Sequence, residues 1–508
     1  MLNNRRLLNG DITYSAAKGC ESNILHELGY YDQKTRFFNH LYKYRDQVEE
    51  IVVHHLNLSS KNACSIADPQ DWRHGSFNLC IPVDVRGHDA KRVMVRFPLP
   101  YRVGEKPHPG NADEKILCEA GTYAWLQENC PEIPIPNLYG FGLSSGLKFT
   151  ECTNLPFFTR VVFYIRRRFL QWLGRPLPTR YVPHRSRKPS PEGVSYLLLE
   201  HIDGALLSDT WESKRQDPNL RNNLFRGVSQ LMLSAARIPL PRIGSFTIDK
   251  TGFLSLTNRP LTLEIHDLEN QKIPMNMPRD APYSTTSAYV DDMLAFHENR
   301  LRHQPNAVND MEDCLYQMSA LTVMRTIWPS FFARDLRTGP FYLSFTDLHP
   351  SNLFVDSEWN IKCVIDLEWT CSRPVEMIHP PYWLGNQPVD AIDVDDYQPL
   401  HEEFLTTLAE EENKLVHSAE QQQRLYPVLR RGWENGTFWY ALALDSPMGL
   451  FKIFYDYIQP RFAEEHLDDP AFFRIIMAYW GVGAMGFVQA KVKDRERYEK
   501  RLRKAFQI

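Results

Sequence analysis

The sequence predicts an α+β fold, with antiparallel hairpins early in the chain and helices through most of its second half. Two strand-like runs, at residues 77–85 and 93–97, flank a polar turn and indicate a β-hairpin. A second hairpin is predicted within residues 343–369, where two short apolar runs flank another polar turn. Elsewhere, apolar residues recur mainly at helical spacing. A chain of 508 residues is long enough for roughly two or three structural units.

The composition is that of an ordinary globular protein, with 43% hydrophobic and 24% charged residues. A net charge of −4 gives no global indication of nucleic-acid binding. The 9 cysteines include no C-x-x-C pair, which argues against a disulfide framework or a zinc site and favours a reducing compartment. We therefore predict a cytoplasmic protein. Arg5 and Arg6 leave a mitochondrial presequence open, although Asp11 and Glu21 argue against one.

No apolar run is long enough for a membrane span. The longest, residues 475–488, is predicted to be a buried C-terminal helix. It contains a G-x-G-x-x-G pattern at residues 481–486. A dinucleotide site requires a strand before this pattern and a βαβ unit around it. Both are missing from the sequence pattern, so we interpret these glycines as positions of close helix packing.

Residues 1–70 are predicted to form a helical extension, in which residues 34–56 show the spacing of one amphipathic helix. Gly75 and Ser76 stand just before the first strand of the next unit. A glycine at such a place lets backbone N–H groups approach a phosphate closely. The alternative is that Gly75 only forms a turn.

The second strand of the first hairpin carries Arg96, on the same face as Met94. Arg96 could therefore point beneath the sheet, toward nucleotide phosphates. The helix predicted over residues 113–129 carries Glu119. In kinase folds a helix glutamate pairs with the strand cation and sets the phosphate-binding geometry. The alternative is a local pair between Glu119 and Lys115, four residues earlier; we favour the pair with Arg96.

Residues 145–190 form a strongly basic segment, with ten Lys and Arg residues against the single acid Glu151. Its centre, VVFYIRRRFLQWLG, predicts a basic amphipathic helix. One interpretation is weak contact with an anionic surface through residues 160–188. The interpretation that we favour is an insertion whose apolar side packs on its own domain while its arginines face water.

Asp347, Asn352 and Asp366 lie beside the hairpin of residues 343–369. Phosphoryl transfer requires one carboxylate to orient a hydroxyl nucleophile, and an amide oxygen and a second carboxylate to hold Mg²⁺. These three residues supply that set. Upstream of them, residues 257–285 are predicted to be a proline-rich loop.

The motifs D-L-H-P-S-N at residues 347–352 and I-D-L-E-W at residues 365–369 resemble those of the aminoglycoside phosphotransferase-like family, relatives of the protein kinases and choline kinases. The motif W-x-x-G-S-F-N at residues 72–78 is similar to a motif of the fungal branch of this family. The resemblance extends, in order, over roughly residues 70–400.

The resemblance implies a protein-kinase-like, two-lobed fold, with an antiparallel sheet and a helix in an N-lobe at 71–203 and a large, mainly helical C-lobe at 204–508. It also implies an ATP- and Mg²⁺-dependent transfer to a hydroxyl of a small molecule. Asp347 would be the catalytic base, and Asn352 and Asp366 would bind Mg²⁺. The nucleotide-binding residues would be Gly75, Ser76, Arg96, Glu119, Glu200, His201, Ile202 and His349.

Two residues depart from the family pattern. Arg96 stands where the family has lysine, and Phe345 stands where it has histidine, two residues before Asp347. Arginine differs from lysine in size and in the geometry of its donors. These departures leave open an alternative function, a catalytically weak or inactive pseudokinase that binds nucleotide or a partner. The acceptor and the oligomeric state are not indicated by the sequence.

Overall fold

The computed structural model describes residues 4–185, 193–415, 424–463 and 470–508. The ladders between its named strands are all antiparallel, and helices dominate after residue 205. These features confirm the α+β class predicted from the sequence.

The N-terminal region is a small hairpin followed by four helices. Its elements are β1 (Arg5–Leu7), β2 (Gly10–Ile12), α1 (Tyr14–Gly19), α2 (Ile24–Glu27), α3 (Tyr30–Lys43) and α4 (Arg45–His55). The single helix predicted over residues 34–56 is wrong, because the chain breaks at Tyr44, where φ is −103° and ψ is 22°. The apolar period continues across this break, which is why the pattern alone predicted one helix.

An eight-stranded sheet follows, in the order β3-β5-β6-β10-β7-β8-β9, with β4 paired to β5. Its strands are β3 (Cys64–Ile66), β4 (Arg73–His74), β5 (Asn78–Val85), β6 (Arg92–Pro98), β7 (Leu138–Gly142), β8 (Leu147–Glu151), β9 (Tyr181–Arg185) and β10 (Tyr196–Glu200). Both faces of the sheet are buried. Val93 and Val95 face α3 and α4, whereas Leu197 and Leu199 face α5 (Asn111–Asn129).

Helix α6 (Phe157–Trp172) lies between β8 and β9 in the chain and forms the centre of the basic segment. Phe163 is its buried residue, while Phe158, Ile165, Phe169 and Trp172 are exposed to solvent. The favoured interpretation, in which the apolar side of this helix packs on its own domain, is therefore wrong. Helical periodicity reveals that a face is apolar but not what covers it.

The remainder of the chain consists of short strands and many helices. The strands are β11 (Ala205–Leu206), β12 (Ser245–Ile248), β13 (Leu254–Asn258), β14 (Phe341–Phe345), β15 (Leu353–Val355), β16 (Ile361–Val364) and β17 (Thr370–Pro374). They pair as β11-β15-β16, β12-β13 and β14-β17. The helices are α7 (Trp211–Lys214), α8 (Pro218–Ala235), α9 (Leu263–Asn270), α10 (Thr286–His303), α11 (Met311–Ile327), α12 (Val394–Leu415), α13 (Leu425–Asn435), α14 (Thr437–Asp445), α15 (Leu450–Ile453), α16 (Pro460–Ala463), α17 (Pro470–Ala478) and α18 (Ala484–Phe506).

The buried helix predicted over residues 475–488 is also wrong. Helix α17 ends at Ala478, and Gly481 and Gly483 have φ of 159° and 83°. Neither glycine has an atom within 4 Å of the place where a Cβ would stand, so they form a turn rather than a close helix contact. Among the described residues, no helix is both long and apolar enough to cross a membrane.

Candidate active site

The hairpin of β15 and β16 brings Asn352 and Asp366 together. Leu353 pairs with Val364, so the residues just outside the two strands lie at the same end of the hairpin. The backbone N–H of Ile365 donates to the carbonyl of Asn352 at 3.0 Å and closes that end. Asp347 lies two residues after the end of β14. The three polar residues that the sequence singled out therefore lie at one end of this hairpin.

Asn352 orients the side chain of Asp347. Its Nδ2 donates to the backbone carbonyl of Asp347 at 2.9 Å and to its Oδ2 at 3.2 Å. Because the amide nitrogen is used in this way, the amide oxygen points away from Asp347. His349 supports the turn between them, since its Nδ1 accepts from the Ser351 N–H.

Arg96 bridges the sheet, helix α5 and the hairpin. One of its terminal nitrogens contacts Asp366 Oδ1 and the other contacts Glu119 Oε1. Arg96 and Glu119 are buried, while about a third (34%) of the Asp366 side chain is exposed. The predicted pair between Arg96 and Glu119 is therefore present in the structure. Asp366 has a φ of 57°, a left-handed conformation that short polar side chains tolerate better than most.

Two further ionisable residues belong to this cluster, and sequence reasoning missed their contacts. Lys115 Nζ lies 2.8 Å from Glu368 Oε2 and donates to Asn78 Oδ1 at 2.6 Å. Asn78 Nδ2 in turn donates to both carboxylate oxygens of Glu368, at 3.0 and 2.9 Å. Glu368 also lies 3.2 Å from Arg96. Lys115 therefore pairs with Glu368, and a purely local pair with Glu119 is wrong.

The electrostatics of the cluster are unbalanced. Arg96 and Lys115 face the three carboxylates of Glu119, Asp366 and Glu368, which leaves a formal excess of one negative charge. Burial raises the pKa of Glu368, but Lys115 and Arg96 outweigh it and hold that pKa below its usual value. Such an excess favours an additional cation at the exposed side of Asp366.

Asp347 experiences the same negative field. Burial raises the pKa of its carboxyl to about 7, and repulsion from Glu368 and Asp366 adds to the shift. A carboxyl group with a pKa near neutrality is suited to accept a proton from a hydroxyl.

The other predicted nucleotide-binding residues lie at two places. Gly75 and Ser76 form the turn between β4 and β5, where the Gly75 N–H donates to the Asn78 carbonyl at 3.0 Å. Glu200, at the end of β10, accepts from the Asn137 side chain at 2.8 Å, and His201 and Ile202 follow before β11. Because β11 pairs with β15, this segment leads directly from the main sheet to the hairpin with Asn352.

A cavity of about 300 Å³ opens beside Asp347. It is lined by Glu264 on α9, by His379 and Tyr382, and by Asp445 at the end of α14. Arg373 neutralises Asp445 through a contact of 2.8 Å. Burial raises the pKa of Glu264 to about 7, and the nearby Asp445 contributes. A larger cavity of about 740 Å³ lies between α8 and α12 and includes none of the predicted site residues.

Glu264 could not be identified from the sequence because residues 257–285 were predicted to be loop. The structure corrects this expectation, since α9 begins at Leu263 within that stretch. Phe345 is half-buried at the end of β14 and lines the same cavity. Phe345 and Asp347 therefore line one cavity.

No protein-family model matches the chain, and no curated protein matches its sequence. Among solved structures, a protein named macrolide 2'-phosphotransferase type I aligns with 85% of this chain and 97% of its own, at 11% identity and a TM-score of 0.35. A TM-score and identity this low do not establish a shared fold.

Proposed function

We propose that this protein is an ATP- and Mg²⁺-dependent phosphotransferase with a two-lobed, kinase-like fold, which moves the γ-phosphoryl group to a hydroxyl of a small molecule. The observation that carries the proposal is the convergence of two distant sets of residues. Asp347, Asn352 and Asp366 come from the hairpin region, and Arg96 with Glu119 come from the sheet and α5. Phosphoryl transfer depends mainly on such positioning and on neutralisation of charge.

The donor set fits a magnesium ion. Mg²⁺ prefers oxygen ligands, and it is commonly held by one or two protein groups together with phosphates and water. Asn352 offers its amide oxygen because its nitrogen is bound to Asp347. Asp366 offers the carboxylate oxygen that Arg96 does not contact, on a side chain that is 34% exposed. A metal bound there would neutralise the charge that develops on the phosphates.

The protein's own groups then have separate roles. Asp347 accepts or orients the hydroxyl proton of the acceptor, and Asn352 holds its carboxylate in place. Arg96, fixed by Glu119, would supply positive charge to the phosphates. Gly75 and Ser76, in the β4–β5 turn, would contact the phosphates, and Glu200, His201 and Ile202 would contact the adenine. His349 would lie near the transferred group.

The cavity beside Asp347 is where the acceptor would bind. Its charge becomes negative as the pH rises above about 7, because Glu264 and Asp347 face it and both have a pKa of about 7, while Asp445 is paired with Arg373. We therefore propose an acceptor that carries a positive charge near its hydroxyl group. The volume of this cavity, about 300 Å³, lies at the lower end of the range for small-molecule sites, which is about 300–1,000 Å³.

An assay of ADP release, over a panel of amino alcohols and neutral alcohols, tests this function. Asp347→Asn should lower turnover by about 100-fold or more, because general-base contributions are of that order. The same variant should still be stabilised against heat by Mg-ATP, since Asp347 is not among the proposed phosphate contacts. Turnover at the wild-type rate in this variant would contradict the role of Asp347.

A second candidate function is a pseudokinase that binds nucleotide or a partner without chemistry. The contact between Arg96 and Asp366 favours it, because the cation already occupies one oxygen of the proposed metal ligand. Thermal unfolding with ATP, in the presence and absence of Mg²⁺, separates the two candidates. Stabilisation by ATP that is independent of Mg²⁺, together with no ADP release for any acceptor, would favour the pseudokinase.

A further inference from the structure

Helix α6 exposes an unusually apolar surface. Phe158, Val162, Ile165, Phe169 and Trp172 are between 57% and 82% exposed. Soluble proteins seldom present a continuous group of large apolar side chains to water, and such a group usually marks an interaction site. The phosphotransferase chemistry proposed above makes no use of this surface.

The exposed residues form one continuous face. At about 100° per residue, Val161, Trp172, Ile165, Phe158, Phe169 and Val162 fall within an arc of about 100°. We call this set the apolar face of α6. The opposite side attaches the helix to its domain: Phe163 is buried there, and Arg167 lies 2.6 Å from Glu128. The apolar face therefore points outward because the inner side is already engaged.

The charge around this face has one sign. Helix α6 contains four arginines and no acidic residue. In projection, Arg168 borders the apolar face on one edge and Arg166 on the other, within about 40° of it. Arg168 and Arg175 are exposed, and neither forms an ion pair with another described residue. An apolar stripe with arginines along both edges is the pattern of helices that lie in the plane of a membrane surface.

We propose that α6 binds the surface of anionic membranes, with its apolar face at the boundary between headgroups and acyl chains and its arginines on lipid phosphates. A second copy of the chain fits this surface less well. Two α6 helices packed face to face would bring their arginines together, with no acid on either helix to compensate. A negatively charged bilayer surface supplies both the apolar phase and the opposite charge.

Flotation of the full chain with lipid vesicles tests the proposal. Vesicles of phosphatidylcholine with phosphatidylserine should bind the wild-type protein at low salt, and pure phosphatidylcholine vesicles should bind it much less. Phe158→Ser, Ile165→Ser and Phe169→Ser together should weaken binding by more than about 100-fold, because three large apolar side chains are lost. Arg168→Gln with Arg175→Gln should weaken it by about 25-fold, since each arginine near an anionic surface contributes about fivefold.

The matched control uses exposed apolar residues elsewhere in the chain. Tyr479 and Val482 are 77% and 112% exposed, and Tyr479→Ser with Val482→Ser should leave vesicle binding unchanged. All substituted side chains are exposed, so thermal unfolding should be unaffected. Equal binding to neutral and anionic vesicles, no binding to either, or an equal loss in the control variant would overturn the proposal. So would a lipid-free dimer, seen in sedimentation, that the triple α6 variant abolishes.

Discussion

The buried pair between Lys115 and Glu368 allows a quantitative test of the site, through the substitutions Lys115→Met and Glu368→Gln. Lys115 is fully buried, and its contacts are Glu368 Oε2 at 2.8 Å and Asn78 Oδ1 at 2.6 Å. Removal of Glu368 leaves the buried Lys115 without the carboxylate that it contacts, and removal of Lys115 leaves the buried Glu368 with Arg96, at 3.2 Å, as its remaining cation contact. Breaking a buried ion pair from one side costs about 3–5 kcal/mol, whereas replacing both members is often nearly neutral.

We therefore expect each single variant to lose about 3–5 kcal/mol of stability, and the double variant to lose much less than the sum. At about 2 °C per kcal/mol for a large domain, each single variant should unfold about 6–10 °C earlier. Circular dichroism during heating measures this shift, and ATP added to the same samples shows whether the nucleotide site remains intact. Gln at position 368 retains an acceptor for Asn78, so the loss reports the charge and not the hydrogen bond.

Additive losses in the double variant would refute the reasoning, because they would show that Lys115 and Glu368 do not act on each other. Losses below about 1 kcal/mol in the single variants would have the same meaning, since that is the range of exposed ion pairs. A useful comparison is the exposed pair of Lys452 and Asp456, at 2.7 Å. Substitution of Lys452 by Met should change the unfolding temperature little.

Three other outcomes follow from the site. Arg96→Lys should keep one carboxylate contact and lose the other, because a lysine ammonium lacks the two terminal nitrogens with which Arg96 reaches Glu119 and Asp366 together. The KM for ATP, measured by ADP release, should therefore rise about tenfold. Asn352→Ala should raise the Mg²⁺ concentration needed for half-maximal activity by about 10- to 100-fold, as for other residues that hold or orient metal ligands. The pKa of Glu264 is about 7 in the folded protein and lies above its ordinary value of 4.5. Between these pH values the folded protein binds more protons than the unfolded chain, so the stability falls as the pH rises from 4.5 through 7. Glu264→Gln should thus match the wild type near pH 4.5 and be more stable at pH 8, by at most about 3 kcal/mol, in thermal unfolding at both pH values.

The parts of the site that were predictable share one property, which is that local sequence determines them. Asn352 and Asp366 lie just outside the paired strands β15 and β16, so hairpin geometry brings them together, and Asp347 precedes Asn352 by only five residues. The pair of Arg96 and Glu119 required only the face alternation of a strand and the helix that follows it. The contact of Lys115 with Glu368 joins two distant parts of the chain and has no local signal.

The expectations for α6, for residues 475–488 and for α9 were wrong, because they depended on tertiary contacts that the sequence pattern does not show. The apolar stripe of α6 was visible in the sequence, but its periodicity did not reveal that Phe163 faces the domain while Phe158 faces water. The same limit affected residues 475–488, where an apolar composition suggested burial and the turn at Gly481 prevents it. Proline-rich composition likewise concealed α9, the short helix that carries Glu264. Composition reports a preference for burial or for turns, and tertiary contacts decide the outcome.

The contact between Arg96 and Asp366, which is the observation in favour of a pseudokinase, still leaves one oxygen of the proposed metal ligand without an arginine contact. Arg96 contacts Oδ1 of Asp366, and 34% of the side chain is exposed. In formal charges the cluster holds one more negative than positive group, and burial raises the pKa of Glu119 to about 7, so a cation at Oδ2 improves the balance of charge. Arginine also suits this position better than lysine would, because its two terminal nitrogens hold Glu119 and Asp366 at once. The departure from lysine therefore acts to fix the second carboxylate of the hairpin, and the activity of the site depends on whether that fixed carboxylate still admits Mg²⁺.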